Sequence, residues 1–426
     1  MSPLVERILP SRMGRDFRWL MASSWTSNIG DGIALAAGPL LVASQTDSAF
    51  VVALAALLQR LPWLVFGLWA GALADRLDRR RVVMISDTLR AGVIAVLCLV
   101  IVTGRINIGV ILVAMTLYGV AEVFADTTTS TLLPMMVDKA DLGTGNQRLQ
   151  AGFLTCNQLL GPPVGAFLFA IGSVWPFAVQ VICVLLAVLL VSRIARSRTA
   201  STGQEPCSTD QQPAEPSHIR RDIAEGLRWI WQHAAVRTLA LVILVFNVTW
   251  AAAWSVLVLW SRDHLGMSEV GYGLLTTGTG VGGLIGTALY GAVERRFALA
   301  TVMRVCLLLE VLTHLALALT DAGWLAIVIM VEFGAYGFIW GTVSNTVRQR
   351  AVPQQYQGRV SAVYMMCVFG GLIAGQAIGG LIAEQWGLVA PFWFAFAGAG
   401  ITLILVWRQL ASIAHAGDDL PEPTRP

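Results

Sequence analysis

Charged residues are scarce in this chain. Asp, Glu, Lys and Arg make up 13% of its 426 residues, against about 25% in an ordinary soluble domain, while 56% of the residues are hydrophobic. A soluble fold cannot hide so much apolar surface, so a lipid bilayer has to solvate much of it. Because a bilayer core needs roughly 20 apolar residues per helix, we expect repeated membrane crossings by helices.

The sequence also lacks the patterns of enzymes and metal sites. It contains no Walker A loop, no nucleophile elbow, no HExxH and no paired His/Cys ligands. The six cysteines are scattered without a CxxC pair, which argues against a disulfide framework and a zinc site. An ATP-driven pump would need a nucleotide-binding domain, which this sequence does not contain. We therefore expect no enzyme, no metal, no cofactor and no nucleic-acid partner.

Long apolar runs alternate with short polar joints. These runs predict twelve transmembrane helices, at residues 18–44, 49–74, 82–103, 107–128, 148–171, 174–195, 237–260, 270–292, 299–320, 323–346, 358–383 and 387–409. The first run is too long for a signal-peptide core and has no small-residue cleavage site, so it should stay as a membrane helix.

The distribution of basic residues predicts the orientation. With both termini in the cytoplasm, the inner segments carry 24 of the 29 Lys and Arg residues, and the outer segments carry only Arg105 and Arg262. The other three, Arg60, Arg90 and Arg304, lie within predicted spans. By the positive-inside rule, we expect a multi-pass protein of the inner (plasma) membrane with both ends cytoplasmic.

A polar segment divides the chain into two similar parts. We predict an N-terminal six-helix half over 1–196, a flexible cytoplasmic linker over 197–217, and a C-terminal half over 218–411 that begins with an amphipathic helix. Residues 412–426 are predicted to be a disordered tail. GALADRLDRRR and YGAVERR echo each other between the halves, as do GPPVGA and GQAIGG. Such repeats are typical of secondary transporters, whose substrate site lies between the halves.

The stretch 71–83, GALADRLDRRRVV, resembles motif A of the major facilitator superfamily. The matching positions include Gly71, Asp75, Arg76, Arg79 and Arg80, while Asp78 replaces the usual second glycine. The resemblance implies an all-α membrane fold of twelve helices in two pseudo-symmetric halves, acting as a monomer.

The same resemblance implies a role for motif A. In the family it latches the halves together in the outward-facing state. By analogy Asp75 would face the helix start near Gly358, and Arg76 or Arg79 would pair with Asp126. The alternative is a solvated basic loop that serves only topology.

GPPVGA resembles motif C, which is typical of the antiporter branches. Gly161, Pro162 and Gly165 match it. Proline bends a membrane helix and glycines allow close helix contact, so packing alone is the alternative. SNIGDGIALAAGPLL, RLPW and EGLRWIWQH further resemble the branch that holds macrolide-efflux proteins and the enterobactin exporter.

Ionisable groups inside membrane spans are costly and are therefore functional candidates. The candidates for proton coupling or substrate binding are Asp31, Arg60, Glu122 and Glu332. A desolvated carboxylate takes up a proton more readily and can release it to a cationic substrate, which is the chemistry of antiport. For Asp31 the alternative is a structural pair with Arg60.

Two further pairs of ionisable residues are expected to be structural. Glu310 and His314 are four residues apart and can pair along one helix face. Asp87 and Arg90 should serve local packing or the motif A network.

Three tryptophans lie deep within predicted spans. Trp250 and Trp254 are one turn apart in span seven, and Trp340 lies in span ten. They are candidates for an aromatic wall against a planar or cationic ligand, with core packing as the alternative.

These features predict a secondary active transporter in the lipid bilayer. It would export a small amphipathic compound, such as a drug, an antibiotic or a siderophore-like metabolite, in exchange for protons by alternating access. The alternatives are a proton-coupled importer and a non-transporting membrane receptor.

Overall fold

The computed structural model describes residues 13–138, 141–194 and 219–410, and these residues are helical almost throughout. The predicted all-α class is therefore confirmed. The main helices are α1 Gly14–Ala43, α2 Ala49–Arg76, α3 Arg79–Val102, α4 Ile108–Ser130, α5 Leu142–Ile171, α6 Trp175–Val191, α7 Ile219–Gln232, α8 Ala234–His264, α9 Glu269–Arg296, α10 Leu299–Leu319, α11 Gly323–Ala351, α12 Gln357–Trp386 and α13 Ala390–Val406. The predicted linker over 197–217 and the tail over 412–426 lie outside the described residues.

Within the described ranges, eight helical segments are long and apolar enough to cross a membrane. They lie in α2, α3, α4, α5, α8, α10, α11 and α12, while α6 and α13 are shorter apolar helices. Each predicted span overlaps one of the helices, and the predicted amphipathic stretch forms α7. The protein is thus a multi-pass membrane protein.

Short polar caps mark the turns between helices. Ser48 caps α2, Asn107 caps α4 and Ser268 caps α9, each accepting a hydrogen bond from a backbone N–H of the first turn. Asp78, the residue that replaces the motif A glycine, caps α3 by accepting from the backbone N–H groups of Arg80 and Arg81. Its φ of −61° is open to any residue, so this turn does not need a glycine.

The helices pack as two bundles joined by two seams. In the first bundle α1 packs against α5 and α6, α2 against α4, and α3 against α4 and α6. In the second bundle α8 packs against α12 and α13, α9 against α11, and α10 against α13 and α11. The seams between the bundles run along α2 and α12 and along α5 and α9.

Polar contacts tie the bundles together at the end where α1 leads into α2. The Arg262 guanidinium of α8 donates to the Ala43 carbonyl and to Asp47, both at 2.8 Å. Glu384 of α12 accepts from the Ser48 hydroxyl at 3.0 Å and from the Phe50 N–H at 3.1 Å. These residues are called the loop-end contacts below.

Candidate functional site

A buried arginine holds the centre of the first bundle. Arg90 of α3 is 1% exposed, and its guanidinium lies 2.5 Å from Asp31 Oδ1 on α1 and 3.0 Å from Asp87 Oδ1 on its own helix. The Tyr118 hydroxyl of α4 lies 2.6 Å from Arg90 Nη2 and donates to Asp31 Oδ1 at 2.8 Å. Three helices are therefore joined through one carboxylate oxygen.

Two more polar side chains complete this group. The Gln180 side chain of α6 donates to the Tyr118 hydroxyl at 3.3 Å, and the Ser27 hydroxyl donates to Asp31 Oδ2 at 3.2 Å. Both Asp31 oxygens are thus hydrogen-bonded. A buried carboxylate held in this way keeps a fixed position.

The structural pair of Asp31 with Arg60, which was the alternative for this residue, does not form. Asp31 pairs with Arg90 instead, because α1 packs on α5 and α6 while α2 turns towards α4 and α12. Arg90, which was expected to serve local packing or the motif A network, does bind Asp87 but also bridges to Asp31. The charge of Arg60 acts on Glu122 of α4.

Two further carboxylates lie on α4, on the same helix face as Tyr118. Glu122 and Asp126 follow Tyr118 at intervals of four residues, which places them on one helix face. The charge of Arg90 reaches both. The Trp63 indole lies beside the Glu122 carboxylate.

The acids of this region outnumber the bases. The region, called the arginine cluster below, comprises Asp31, Asp87, Glu122 and Asp126 with Arg60 and Arg90. Four carboxylates face two guanidinium groups, which leaves an excess of two negative charges when all are ionised. Asp87 is buried and Asp31 and Glu122 are half-buried, while Asp126 is exposed. An excess of charge at partly buried positions is unfavourable, so protons or a bound cation would stabilise it. Within the described ranges, no group of three or more His, Cys, Asp and Glu residues has a metal-binding arrangement.

Motif C brings α5 into direct contact with α1 beside Asp31. A β-carbon on Gly165 would lie 2.1 Å from the Ile33 carbonyl oxygen, and one on Gly161 would lie 2.4 Å from Gly32 Cα. Only glycine fits at such distances. The packing role that was the alternative for this motif is therefore present, and it fixes the helix that carries Asp31.

The part of α5 before motif C departs from α-helical geometry. Residues Phe153–Leu160 form a π-helical turn, and Pro162 follows in the first turn of the segment after it. A β-carbon on Gly152, just before this turn, would lie 2.2 Å from the Trp25 ring of α1. Helix α5 thus keeps close contact with α1 on both sides of the turn.

Motif C also lies at a seam between the bundles. A β-carbon on Gly273 of α9 would lie 2.4 Å from the Ala166 β-carbon, and one on Gly280 would lie 2.4 Å from the Gln158 carbonyl oxygen. One helix therefore contacts both the Asp31 helix and the second bundle. A movement of the bundles relative to each other would be felt at α1 through this helix.

The motif A residues with described side chains bind to the ends of neighbouring helices. Arg79 donates to the Thr131 carbonyl at 3.3 Å, beyond the end of α4. Arg80 donates to the Val191 carbonyl at 3.2 Å, at the end of α6. Arginines are well suited to such carbonyls, which carry the negative end of the helix dipole.

These contacts do not test the predictions for the other motif A residues. The side chains of Asp75 and Arg76 lie outside the described part of the chain. The predicted contact of Asp75 near Gly358 and the pairing with Asp126 therefore stay predictions. Gly71 has open space around it, with no heavy atom within 4 Å of the position that a β-carbon would take.

Aromatic rings of α8 and α11 form a continuous surface. The Trp250 and Trp254 rings lie 5.4 Å apart, and both contact Phe333 of α11, at 6.4 and 4.7 Å. Trp340 of α11 instead stacks on Phe246 of α8, with ring centroids 6.4 Å apart. We call Trp250, Trp254 and Phe333 the aromatic wall. Glu332, next to Phe333 in sequence, is exposed, and its carboxylate has no hydrogen bond or ion pair within the described residues.

Comparisons with known proteins identify the family. The sequence profile described as transmembrane secretion effector, a group of the major facilitator superfamily, matches residues 10–419. The chain belongs to this family. It is 30% identical over 388 residues to the multidrug efflux pump Tap of Mycolicibacterium fortuitum, covering 88% of this chain and 90% of that protein. It is 24% identical to macrolide efflux protein A of Streptococcus pyogenes, covering 92% and 94%.

Solved structures show the same fold. A bacterial homologue of the iron transporter ferroportin in an inward-facing state matches with a TM-score of 0.70 and 16% identity, over 93% of this chain and 99% of that one. By the family match and its relatives, the chain is a membrane transporter of the major facilitator superfamily and not an enzyme. The predicted resemblance to that superfamily and to macrolide-efflux proteins is confirmed.

Sequence reasoning missed several residues of this transmembrane secretion effector. Tyr118 and Gln180 complete the arginine cluster, and Phe333 completes the aromatic wall. The spacing of four between Tyr118, Glu122 and Asp126 was a usable signal, because polar residues at that interval share a helix face. Phe333 had no such signal, since its partners are on another helix.

Proposed function

We propose that this transporter is a secondary active exporter that exchanges a small amphipathic compound for protons. The arginine cluster carries the proposal. Its two excess carboxylates need neutralisation, and either protons or a cationic substrate can supply it. A site that accepts one or the other, but not both, couples their movements in opposite directions.

The direction and the substrate class rest on the relatives. Two of the proteins that this chain resembles over most of their length are named as a multidrug efflux pump and a macrolide efflux protein. Export of a drug, an antibiotic or a siderophore-like metabolite therefore fits better than import.

The proposed architecture is that of twelve spans in two six-helix halves, with both termini in the cytoplasm and one chain as the working unit. The two bundles and the overlap of a helix with every predicted span support it. The excess of basic residues at one set of helix ends supports the orientation. In this orientation the loop-end contacts lie on the outer side and close it.

Alternating access would then require the loop-end contacts to break. They join α1 and α2 to α8 and α12 across the two bundles. The proposed cycle opens this outer side and closes the inner side, where motif A lies. The contact of α5 with both bundles supports a link between this movement and Asp31.

Efflux from cells tests the proposal. Cells that express the protein are loaded with ethidium or with radiolabelled erythromycin, energised, and followed with and without a protonophore. We expect export that the protonophore abolishes. Asp31→Asn should lower the initial export rate by about tenfold or more, because the substitution removes the exchangeable charge at the centre of the cluster.

The matched control is Asp138→Asn, which makes the same chemical change at an exposed carboxylate. It should export at the wild-type rate. Export that continues unchanged in the presence of the protonophore would exclude proton coupling. Proton-driven accumulation of either probe would favour an importer instead.

A further inference from the structure

The second bundle contains its own buried acid–base pair. His314 of α10 is fully buried, and its Nε2 lies 3.1 Å from Glu310 Oε1 on the same helix. The Tyr336 hydroxyl of α11 donates to Glu310 Oε2 at 2.8 Å, with the Thr313 hydroxyl 3.0 Å away. His314 Nδ1 is buried and has no hydrogen-bond partner within the described residues. We call Glu310, His314 and Tyr336 the histidine cluster.

The histidine cluster repeats the arrangement of the arginine cluster. Arg90 lies eleven residues after the first residue of α3, and Glu310 lies eleven after the first residue of α10. The next helix along the chain carries the tyrosine in each bundle, Tyr118 on α4 and Tyr336 on α11, and a glycine follows each of them in sequence. In both clusters the tyrosine donates to a carboxylate at 2.8 Å, and that carboxylate also contacts a basic side chain. This correspondence indicates one device used in both bundles.

The basic partners differ in what they can do with a proton. Arginine stays charged at every accessible pH, whereas histidine binds and releases a proton near neutrality. With one proton between them, Glu310 and His314 carry no net charge. Removing it leaves one buried negative charge, and adding another leaves one buried positive charge. The pair is therefore stable with one proton as long as nothing else brings charge to it.

Few other ionisable groups face this pair. Helix α13 has no ionisable side chain, and α11 brings Tyr336 and Glu332, whose charge reaches Tyr336. Helix α8 faces the pair with Trp254. The charged residues of α9 lie at its two ends. The balance of charge at the pair is thus set mainly by Glu310 and His314 themselves.

The histidine cluster touches the aromatic wall. The Trp254 ring meets the His314 ring edge-on with centroids 6.0 Å apart, and the Phe333 ring meets Tyr336 edge-on at 5.6 Å. An organic cation bound to the faces of these aromatic rings would be attracted by them and repelled by an imidazolium behind them. It would be attracted by Glu310 once the proton has left.

We propose that Glu310 and His314 form a second proton-binding site, whose proton leaves when an aromatic organic cation binds at the aromatic wall. The N–H bond of the imidazolium breaks, the proton passes to water, and the positive charge of the bound cation replaces it. This proposal rests on the proposed antiport and assigns half of the exchange to the second bundle.

Proton release on ligand binding tests the proposal directly. Purified protein in detergent and weak buffer near neutral pH is mixed with tetraphenylphosphonium, and a pH-indicator dye reports the protons released per cation bound. The double variant Glu310→Gln/His314→Gln should release about one proton less per bound cation, because neither remaining side chain can hold the exchangeable proton. Its affinity for the probe should change by less than about threefold, since the aromatic wall is intact.

Matched controls isolate the site. His264→Gln makes the same change at a histidine of α8 that is not in the cluster and should release protons like the wild type. Triphenylphosphine oxide, which is similar in shape but neutral, should release none. Equal release by the wild type and the double variant Glu310→Gln/His314→Gln, or no binding of tetraphenylphosphonium to the wild type, would overturn the proposal.

The two proposals fail separately. Protonophore-sensitive efflux in cells, without proton release that depends on Glu310 and His314, would leave the proposed function intact and contradict only the second site. If the double variant is not monodisperse, wild-type protein labelled with ¹⁵N-histidine provides the second measurement. Addition of tetraphenylphosphonium should shift the ring-nitrogen signals of one buried histidine, and unchanged signals would contradict the site.

Discussion

The arginine cluster and the histidine cluster place the same tyrosine–carboxylate hydrogen bond in very different electrostatic surroundings. In the first bundle Asp31 is held by a permanent cation and belongs to a group in which carboxylates are in excess. In the second bundle Glu310 contacts the His314 imidazole, which is charged only when it is protonated. One arrangement of helices therefore serves a fixed ion pair in one place and an adjustable one in another.

The difference shows which atoms carry the adjustable charge. In the arginine cluster, Arg90 cannot lose its charge, so any exchange has to occur on the carboxylates. In the histidine cluster, Glu310 and His314 can share or lose a proton without moving. Equivalent substitutions of the basic side chains, or of the tyrosines, should therefore have unequal effects in the two bundles, and this inequality can be measured.

Replacing the basic partner should give the largest difference between the bundles. Arg90→Leu leaves Asp31 and Asp87 buried without their cation, which should lower the free energy of unfolding by about 3–5 kcal/mol. His314→Leu should cost less, because Glu310 can take up a proton and stay neutral. Thermal unfolding in detergent, followed by size-exclusion chromatography, measures both.

A second substitution sharpens this first prediction. Adding Asp31→Asn to Arg90→Leu removes one of the stranded charges and should recover part of the stability, as a double-mutant cycle would detect. Equal losses for Arg90→Leu and His314→Leu would mean that both bases act as fixed charges.

Close glycine contacts should matter comparably in both bundles. A β-carbon on Gly165 would lie 2.1 Å from the Ile33 carbonyl oxygen, and one on Gly379 of α12 would lie 2.2 Å from the Ala252 carbonyl oxygen. Gly165→Ala and Gly379→Ala should each lower the free energy of unfolding by about 1–3 kcal/mol, because the helices have to separate. Thermal unfolding measures this loss.

Open glycines supply the controls for this comparison. Gly92 in the first bundle and Gly370 in the second have no heavy atom within 4 Å of an added β-carbon. Their alanine variants should be as stable as the wild type or slightly more so. A Gly165→Ala protein with unchanged stability would contradict the close contact of α1 and α5.

The tyrosines should give an effect on stability comparable to that of the glycines, together with the smallest and most specific difference between the bundles, in pH dependence. Tyr118→Phe and Tyr336→Phe each remove one hydrogen bond to a carboxylate, which should cost about 1.5–3 kcal/mol. Tyr336→Phe should also change the pH dependence of the export rate, because Glu310 and His314 exchange a proton. Tyr118→Phe should change the shape of that profile less, because Arg90 still holds Asp31 through a permanent charge. Rate–pH profiles that change alike in both variants would contradict the distinction.

Local spacing allowed the sequence to predict part of the site. Glu310 with His314, and Trp250 with Trp254, are four residues apart, and a helix brings such residues together whatever surrounds it. The helix positions were also predictable, because the length of each apolar run matches one membrane crossing. Tyr118, Glu122 and Asp126 show the same regularity.

Contacts between distant helices were not accessible in this way. A pair of Asp31 with Arg60 was the alternative because the first two predicted spans are antiparallel neighbours, yet the packing turns α2 towards α4 and brings Arg90 of α3 to Asp31. Hydrophobic patterns inside a membrane do not say which face of a helix meets which neighbour, since lipid and protein are equally apolar. The contact of Phe333 with Trp250 and Trp254 could not be predicted either, because it joins two different helices.

The π-helical turn in α5 has a mechanical consequence. Such a turn places one extra residue in the helix, and one residue corresponds to about 100° of rotation and 1.5 Å of rise. Gly152 before the turn and Gly165 after it both face α1, so the extra residue sets the register of the two halves of α5. If the turn relaxed to α-helical geometry, one half would screw past the other by one residue. The half after the turn carries the contacts with α1 at Gly161 and Gly165 and the contact with α9 at Ala166, so such a step would move both contacts together.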